Sequence, residues 1–211
     1  MLKFNECTLD NLDETFDLIQ VDESKELHNW IDDNADISDV EQQVLTMYQQ
    51  ALRIYGHDWN EIELLQHFIG PMFALVSFSS KQFGIFSERS MTGTVEGIEM
   101  GGNPDSVIAS GRRSPKKPYF CFHEFKRQHE TKGDPAGQCL AAMLVAQELN
   151  EHKHPIYGCY VQGLDWFFMI LEGKEYCISN GYMATRDDIF DIFRILKALK
   201  QIVIRLVAME E

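Results

Sequence analysis

The run "PYFCFHEFK", Pro118 to Lys126, restricts the fold more than any other segment. Side chains of an extended chain alternate between faces, so Phe120 and Phe122 share a side with Glu124 and Lys126, while Tyr119, Cys121 and Phe125 share the other with His123. Both faces are apolar, and a strand that needs cover on both sides belongs in the middle of its sheet. The segment ends on a carboxylate and an ammonium, which are costly to bury unless they pair or bind something. His123, on the face opposite Glu124, reads as a buried, hydrogen-bonded histidine.

The elements around this strand set the class. Residues 1–36 are acidic, with scattered apolar positions such as Phe16, Leu27 and Trp30 that suit short helices. Ser38-Asp39-Val40-Glu41 fits a capping box, and Val40, Val44, Met47, Tyr48, Ala51 and Ile54 recur at helical spacing up to Gly56. A second helix starts at Asp58 to Glu61, carries Ile62, Leu65, Phe68 and Ile69 on one face, and is expected to stop at Gly70-Pro71. "MFALVSF" is apolar and ambiguous. Extended segments broken by glycines follow from Phe83, with "DSVIAS" as a strand. A long helix is expected from about Asp134 to Asn150, then strands in "PIYGCYVQG" and "WFFMILEGKEYCIS". Thr185 to Asp188 opens a last helix carrying Ile189, Ile192, Phe193, Leu196 and Leu199. Helices, a strand meander, a crossover helix, more strands and a final helix predict a mixed α/β or α+β fold, a central mixed sheet flanked by helices.

A chain of 211 residues buries a full-sized core. No uncharged apolar stretch approaches the ~20 residues that span a bilayer, and "MLKFNECTLDNLDETF" shows no charged n-region followed by an apolar run, so a cytoplasmic protein with no membrane partner is expected. The five cysteines, Cys7, Cys121, Cys139, Cys159 and Cys177, show no metal-ligand spacing and read as small buried hydrophobes of a reducing compartment. Zinc is not expected.

The net charge of −14 argues against a nucleic-acid partner at first sight, because phosphate contacts need Lys and Arg. Its distribution weakens that objection. Residues 1–100 hold 5 Lys and Arg against 19 Asp and Glu, and residues 101–211 hold 14 of each. Arg112, Arg113, Lys116, Lys117, Lys126, Arg127 and Lys132 crowd into one stretch of the neutral half, where a local positive patch steers an anion or simply solvates a hairpin tip.

Asp105 directly precedes "SVIAS", and the turn "GRRSPKK" brings it back beside Glu124. Two carboxylates at one point repel unless a divalent cation separates them, and oxygen ligands with retained waters describe Mg²⁺ or Mn²⁺. Such a cation polarises a phosphodiester oxygen and acidifies a bound water, with Lys126 placed to orient that water or offset developing charge. A Glu-x-Lys triplet alone means little, since the chain has five, but only Glu124 and Lys126 sit on an apolar strand. An ion pair closing the core is the alternative.

Pro104-Asp105 followed by Glu124-Phe125-Lys126 resembles the PD-(D/E)XK nuclease superfamily. "GDPAGQCLAAMLVAQ" resembles the helix after the E-x-K strand in that group, with Gln138 near its start, and "NEIELLQHFIGPMF" looks like the helix before the first core strand. The resemblance covers Asp58 to about Ser179. It implies a restriction endonuclease-like core over residues 37–211, with residues 1–36 as an acidic extension. It implies Mg²⁺- or Mn²⁺-dependent hydrolysis of nucleic acid, DNA in the first instance. Asp105 and Glu124 would ligate the metal with the main-chain carbonyl of Phe125. Lys126 would be the catalytic lysine, Gln138 an accessory contact and Glu61 either an additional ligand or a residue supporting the ligands from behind, although a helix N-terminal role explains Gln138 equally and a capping box with Asp58 explains Glu61 better. Arg112, Arg113, Lys116, Lys117 and Arg127 would contact the nucleic acid. The superfamily also has members that lost catalysis, so a binding module whose acidic half engages a protein partner is the alternative, with a hydrolase of a small phosphorylated metabolite behind it. A homodimer is a further expectation.

Overall fold

A computed structural model describes residues 1–126 and 133–209. The acidic opening supplies β1 (Leu2–Lys3), α1 (Leu9–Phe16), β2 (Ile19–Gln20) and α2 (Lys25–Ile31). Next come α3 (Asp39–Tyr55), α4 (Glu61–Leu64) and α5 (Gly70–Val76). A run of strands follows: β3 (Phe83–Ser87), β4 (Met91–Val95), β5 (Ile98–Gly102), β6 (Ser106–Ser110) and β7 (Lys116–Lys126). Then come α6 (Pro135–Leu149), β8 (Ile156–Gln162), β9 (Asp165–Glu172), β10 (Glu175–Ile178), β11 (Tyr182–Met183) and α7 (Asp188–Met209).

The fold is mixed α/β. Its large sheet runs β2-β10-β9-β8-β7-β6-β3, with β11 on β9, and a small sheet runs β1-β5-β4. β7 lies between antiparallel β6 and parallel β8, inside the sheet as its two apolar faces require. The parallel pair is joined through α6, which is wedged between the two sheets. Of its 15 residues 13 are buried, which explains why its sequence is apolar all round. The other face of the large sheet is covered by α2, α5 and α7, with Trp30 Nε1 donating to the carbonyl of Ile195 at 3.0 Å. No helix among the described residues is long and apolar enough to cross a membrane.

Residues 1–36 are built into this architecture. β1 pairs with β5 and β2 with β10, both in parallel. Phe4, Leu12 and Phe16 join the core on the α6 side, and Leu27 and Trp30 the core beneath α7. Gly137 of α6 lies so close to the N-terminal loop that a Cβ there would stand 2.5 Å from the Cα of Thr8.

Several local expectations are corrected. The helix begun at Glu61 does not stop at Gly70-Pro71 but continues to Val76. Leu65–Ile69 form a π-turn in which the Gly70 N–H donates to the Leu65 carbonyl, and this widened turn accommodates Pro71 within the helix. On β7 a register shift lets Ile108 face Cys121 and Ala109 face Tyr119, so Phe120 is a bulge residue. Phe120 therefore packs with Cys121 and Phe125, while Tyr119 stacks on Phe122, the reverse of strict alternation. "WFFMILEGKEYCIS" holds two strands rather than one, folded at Gly173, whose φ of +63° suits a tight hairpin.

The face of α3 is also reversed. Its capping box forms as expected, with Ser38 N–H donating to Glu41 Oε2 at 2.7 Å and Glu41 N–H to Ser38 Oγ at 3.3 Å. The residues turned inward, however, are Leu45, Gln49 and Leu52, and Val40, Met47 and Ile54 face solvent.

Candidate active site

The site is assembled where β6 begins and β7 ends. Ser106 is opposite His123 in the antiparallel ladder, so Asp105, one step before the strand, is level with Glu124. Its backbone is held by the Glu88 N–H, which donates to the Asp105 carbonyl at 3.1 Å. Its side chain is held by β7, with the Phe125 N–H donating to Asp105 Oδ2 at 2.6 Å. Phe125 is locked from the other side by its register with Val161 of β8.

Glu124 is only 3 % exposed, an unusual condition for a carboxylate. Burial, and then the negative charge of Asp105, push its carboxyl well above the ordinary range. Asp105 is also raised, by burial first, but the Phe125 N–H, the Lys126 charge and a hydrogen bond from Glu124 pull it back. Burial and the repulsion between the two carboxyls thus favour the protonated form of Glu124 beside Asp105.

Lys126 closes the constellation. Its Nζ lies 3.8 Å from Glu61 Oε2, and its positive charge acts on both carboxyl groups. Glu61 is released for this pairing because Glu63 takes the capping role. The Asn60 N–H donates to Glu63 Oε2 at 2.8 Å, and the Glu63 N–H to Asn60 Oδ1 at 3.0 Å. The expected box between Asp58 and Glu61 is therefore corrected, and Glu61 joins the site through its contact with the lysine.

Gln138 stands in the first turn of α6, buried at 6 % exposure. Together with Glu124 it walls a cavity of about 380 Å³, closed on the other side by Lys3 and Asn5 of the N-terminal segment and by Ser90, Thr92 and Asn103. Gly133 lies against the Gln138 amide, where a Cβ would come within 2.6 Å of its Nε2. Asp105, Glu124, Phe125, Lys126, Gln138 and Glu61 are thus brought to one end of the sheet.

The basic hairpin is not part of that end. At ~3.3 Å per residue, the length of β6 places Arg112 and Arg113 roughly 20 Å from Asp105, with Lys116 paired to Ser110 at the opposite end of the strand. Arg127 and Lys132 lie outside the described residues. On the reverse face of β7, His123 is fully buried, hydrogen-bonded through Nδ1 to Ser106 Oγ at 2.8 Å, and driven by burial to a pKa of about 3. It is a neutral core residue.

Lys3, Asn5, Ser90 and Thr92 were not legible as site residues, because strand pairing and not sequence proximity brings them in. Tyr160 is level with Glu124 across the parallel ladder and stacks on Phe167 with centroids 4.7 Å apart.

The donor set suits a hard divalent cation. A buried carboxyl beside a half-buried one could hold Mg²⁺ or Mn²⁺, which bind through one or two carboxylates and keep several waters. Among the described residues no group of three or more His, Cys, Asp or Glu side chains is placed to hold a metal ion. No protein-family model matches the chain and no curated protein shows significant similarity to it.

Proposed function

We propose that the protein is a Mg²⁺- or Mn²⁺-dependent hydrolase of phosphodiester bonds in nucleic acid, with a restriction endonuclease-like core. The observation that carries this reading is the pairing of half-buried Asp105 with Glu124, a buried carboxyl in the cavity wall, under the positive charge of Lys126, which acts on both. A structural ion pair would bring one carboxylate to one lysine. A second carboxyl, held at Phe125 by a 2.6 Å bond, adds repulsion that only a bound cation or proton relieves.

In this reading Asp105 and Glu124 hold the cation, with the Phe125 carbonyl as a further oxygen donor. The bound cation supplies a Lewis acid for a phosphoryl oxygen and a lowered pKa for water. Lys126, steered by Glu61, orients the attacking water and offsets charge on the phosphoryl oxygens. Gln138 supplies an amide hydrogen bond from the α6 side. Lys3 is a cationic contact for the phosphate on the far wall.

A second reading, hydrolysis of a small phosphorylated metabolite, is favoured by the cavity of about 380 Å³ and by the distance of the basic hairpin from it. Incubation of the purified protein with single- and double-stranded DNA, RNA and a small phosphodiester, each with and without Mn²⁺, decides between them. Divalent-dependent cleavage of a polymer that Lys126→Ala abolishes supports the nuclease. Turnover of the small ester alone supports the second reading, and no turnover of any substrate contradicts both.

A further inference from the structure

The apolar stripe of α3 faces away from the core. Val40, Met47 and Ile54, each seven residues from the next, are 68, 57 and 66 % exposed, and half-buried Val44 and Ala51 fill the steps between them. The resulting 4-3-4-3 spacing is that of a coiled-coil seam. On the helix wheel it lies opposite Leu45, Gln49 and Leu52, which hold α3 to the protein. The helix thus has two apolar stripes, of which its own fold covers one.

We infer that the outer stripe is the contact for a second copy of this chain, with α3 packing antiparallel on α3 about a two-fold axis near Met47. Charge selects this occupant. The protein carries a net −14, so two copies repel wherever acidic residues meet, yet from Gln42 to His57 there is no Asp or Glu. A basic partner would be drawn to the acid-rich surfaces instead. Of the residues flanking the seam, Gln43, Gln50, Tyr48 and Tyr55 are uncharged, and Glu41, which precedes Tyr48 on the same flank, is ion-paired with Lys197 of its own chain at 3.1 Å. Centred on Met47, the pairing sets Val40 of one copy against Ile54 of the other, so the stripe is self-complementary as an isologous contact requires.

The area fits a reversible dimer. The three exposed side chains offer on the order of 400 Å², and with their flanks ~600 Å² per partner, at the small end of specific interfaces. The contact is independent of the catalytic reading, since none of its residues belongs to the site.

Sedimentation equilibrium of the full chain over about 1 to 200 µM is expected to show a monomer–dimer equilibrium. Met47→Glu, a good helix former at an exposed position, is expected to weaken it at least tenfold with an unchanged circular dichroism spectrum. Because all five native cysteines are buried, Met47→Cys introduces an accessible thiol, and it is expected to give a covalent dimer on mild oxidation. Val40→Cys alone is expected to form no covalent dimer under the same oxidation and to cross-link when mixed with Ile54→Cys. A monomer at the highest concentration, or a dimer that Met47→Glu leaves intact, overturns the inference.

Discussion

The Asp105 side chain accepts a 2.6 Å hydrogen bond from the Phe125 N–H while it stands level with Glu124 on the neighbouring strand, so one side chain both fixes the end of β7 and forms half of the carboxyl pair. These duties separate by mutation. Asp105→Asn keeps an oxygen for the Phe125 N–H, whereas Asp105→Ala orphans it at a cost of about 1–3 kcal/mol. Both are expected to lose divalent-dependent cleavage, but only the alanine variant should shift the urea midpoint appreciably.

Glu124 gives the clearest pH signature. An unfolded glutamate ionises near ~4.3, while the buried Glu124 carboxyl stays protonated well above that. As pH rises the unfolded state therefore releases its proton first, and stability present below the unfolded value is lost progressively up to the folded one. Asp105, also raised, acts with the same sign. In EDTA, Glu124→Gln, which keeps a donor toward Asp105 without the proton, is expected to gain stability relative to the parent as pH goes from 5 to 8. Urea unfolding across that range checks it; parallel curves for the two proteins contradict it.

The Lys126–Glu61 contact of 3.8 Å is half-exposed at its glutamate end, which predicts a positioning effect rather than a stabilising one. Lys126→Ala is expected to abolish cleavage. Glu61→Gln should lower kcat about tenfold, with KM and the thermal midpoint little changed, as measured by steady-state kinetics and thermal unfolding.

The N-terminal residues wall the cavity and pack on α6 without space to spare. Gly137→Ala forces a methyl group against the Thr8 backbone, with an expected loss of about 1–3 kcal/mol. It should also raise KM, because Lys3 and Asn5 move with that loop. Thermal unfolding and kinetics on one preparation test both effects.

How much of this was legible in the sequence follows from what governs each feature. The interior position of β7, the α6 crossover and the approach of Asp105 to Glu124 were legible because continuous apolar runs and a single tight hairpin leave few alternatives. Phe120 was misassigned because a bulge breaks the period of two, and bulges arise from pairing with a neighbour that the strand's own sequence does not name. On α3, Val40 and Leu45 each head an apolar stripe with helical spacing, and only the position of α7 decides which is buried. Pro71 suggested a helix end because the π-turn that admits it has no strong local signature. Lys3 and Asn5 reach the cavity through the parallel pairing of β1 with β5, a non-local contact.

The central proposal is that Asp105 and Glu124 give up a proton to hold a divalent cation. Calorimetric titration of Mn²⁺ at pH 7, in two buffers of different ionisation enthalpy, measures binding and proton release together. The expected result is one site per chain that releases about one proton on filling and is lost in Asp105→Asn. Heats no different from that variant, or binding without proton release, would contradict it.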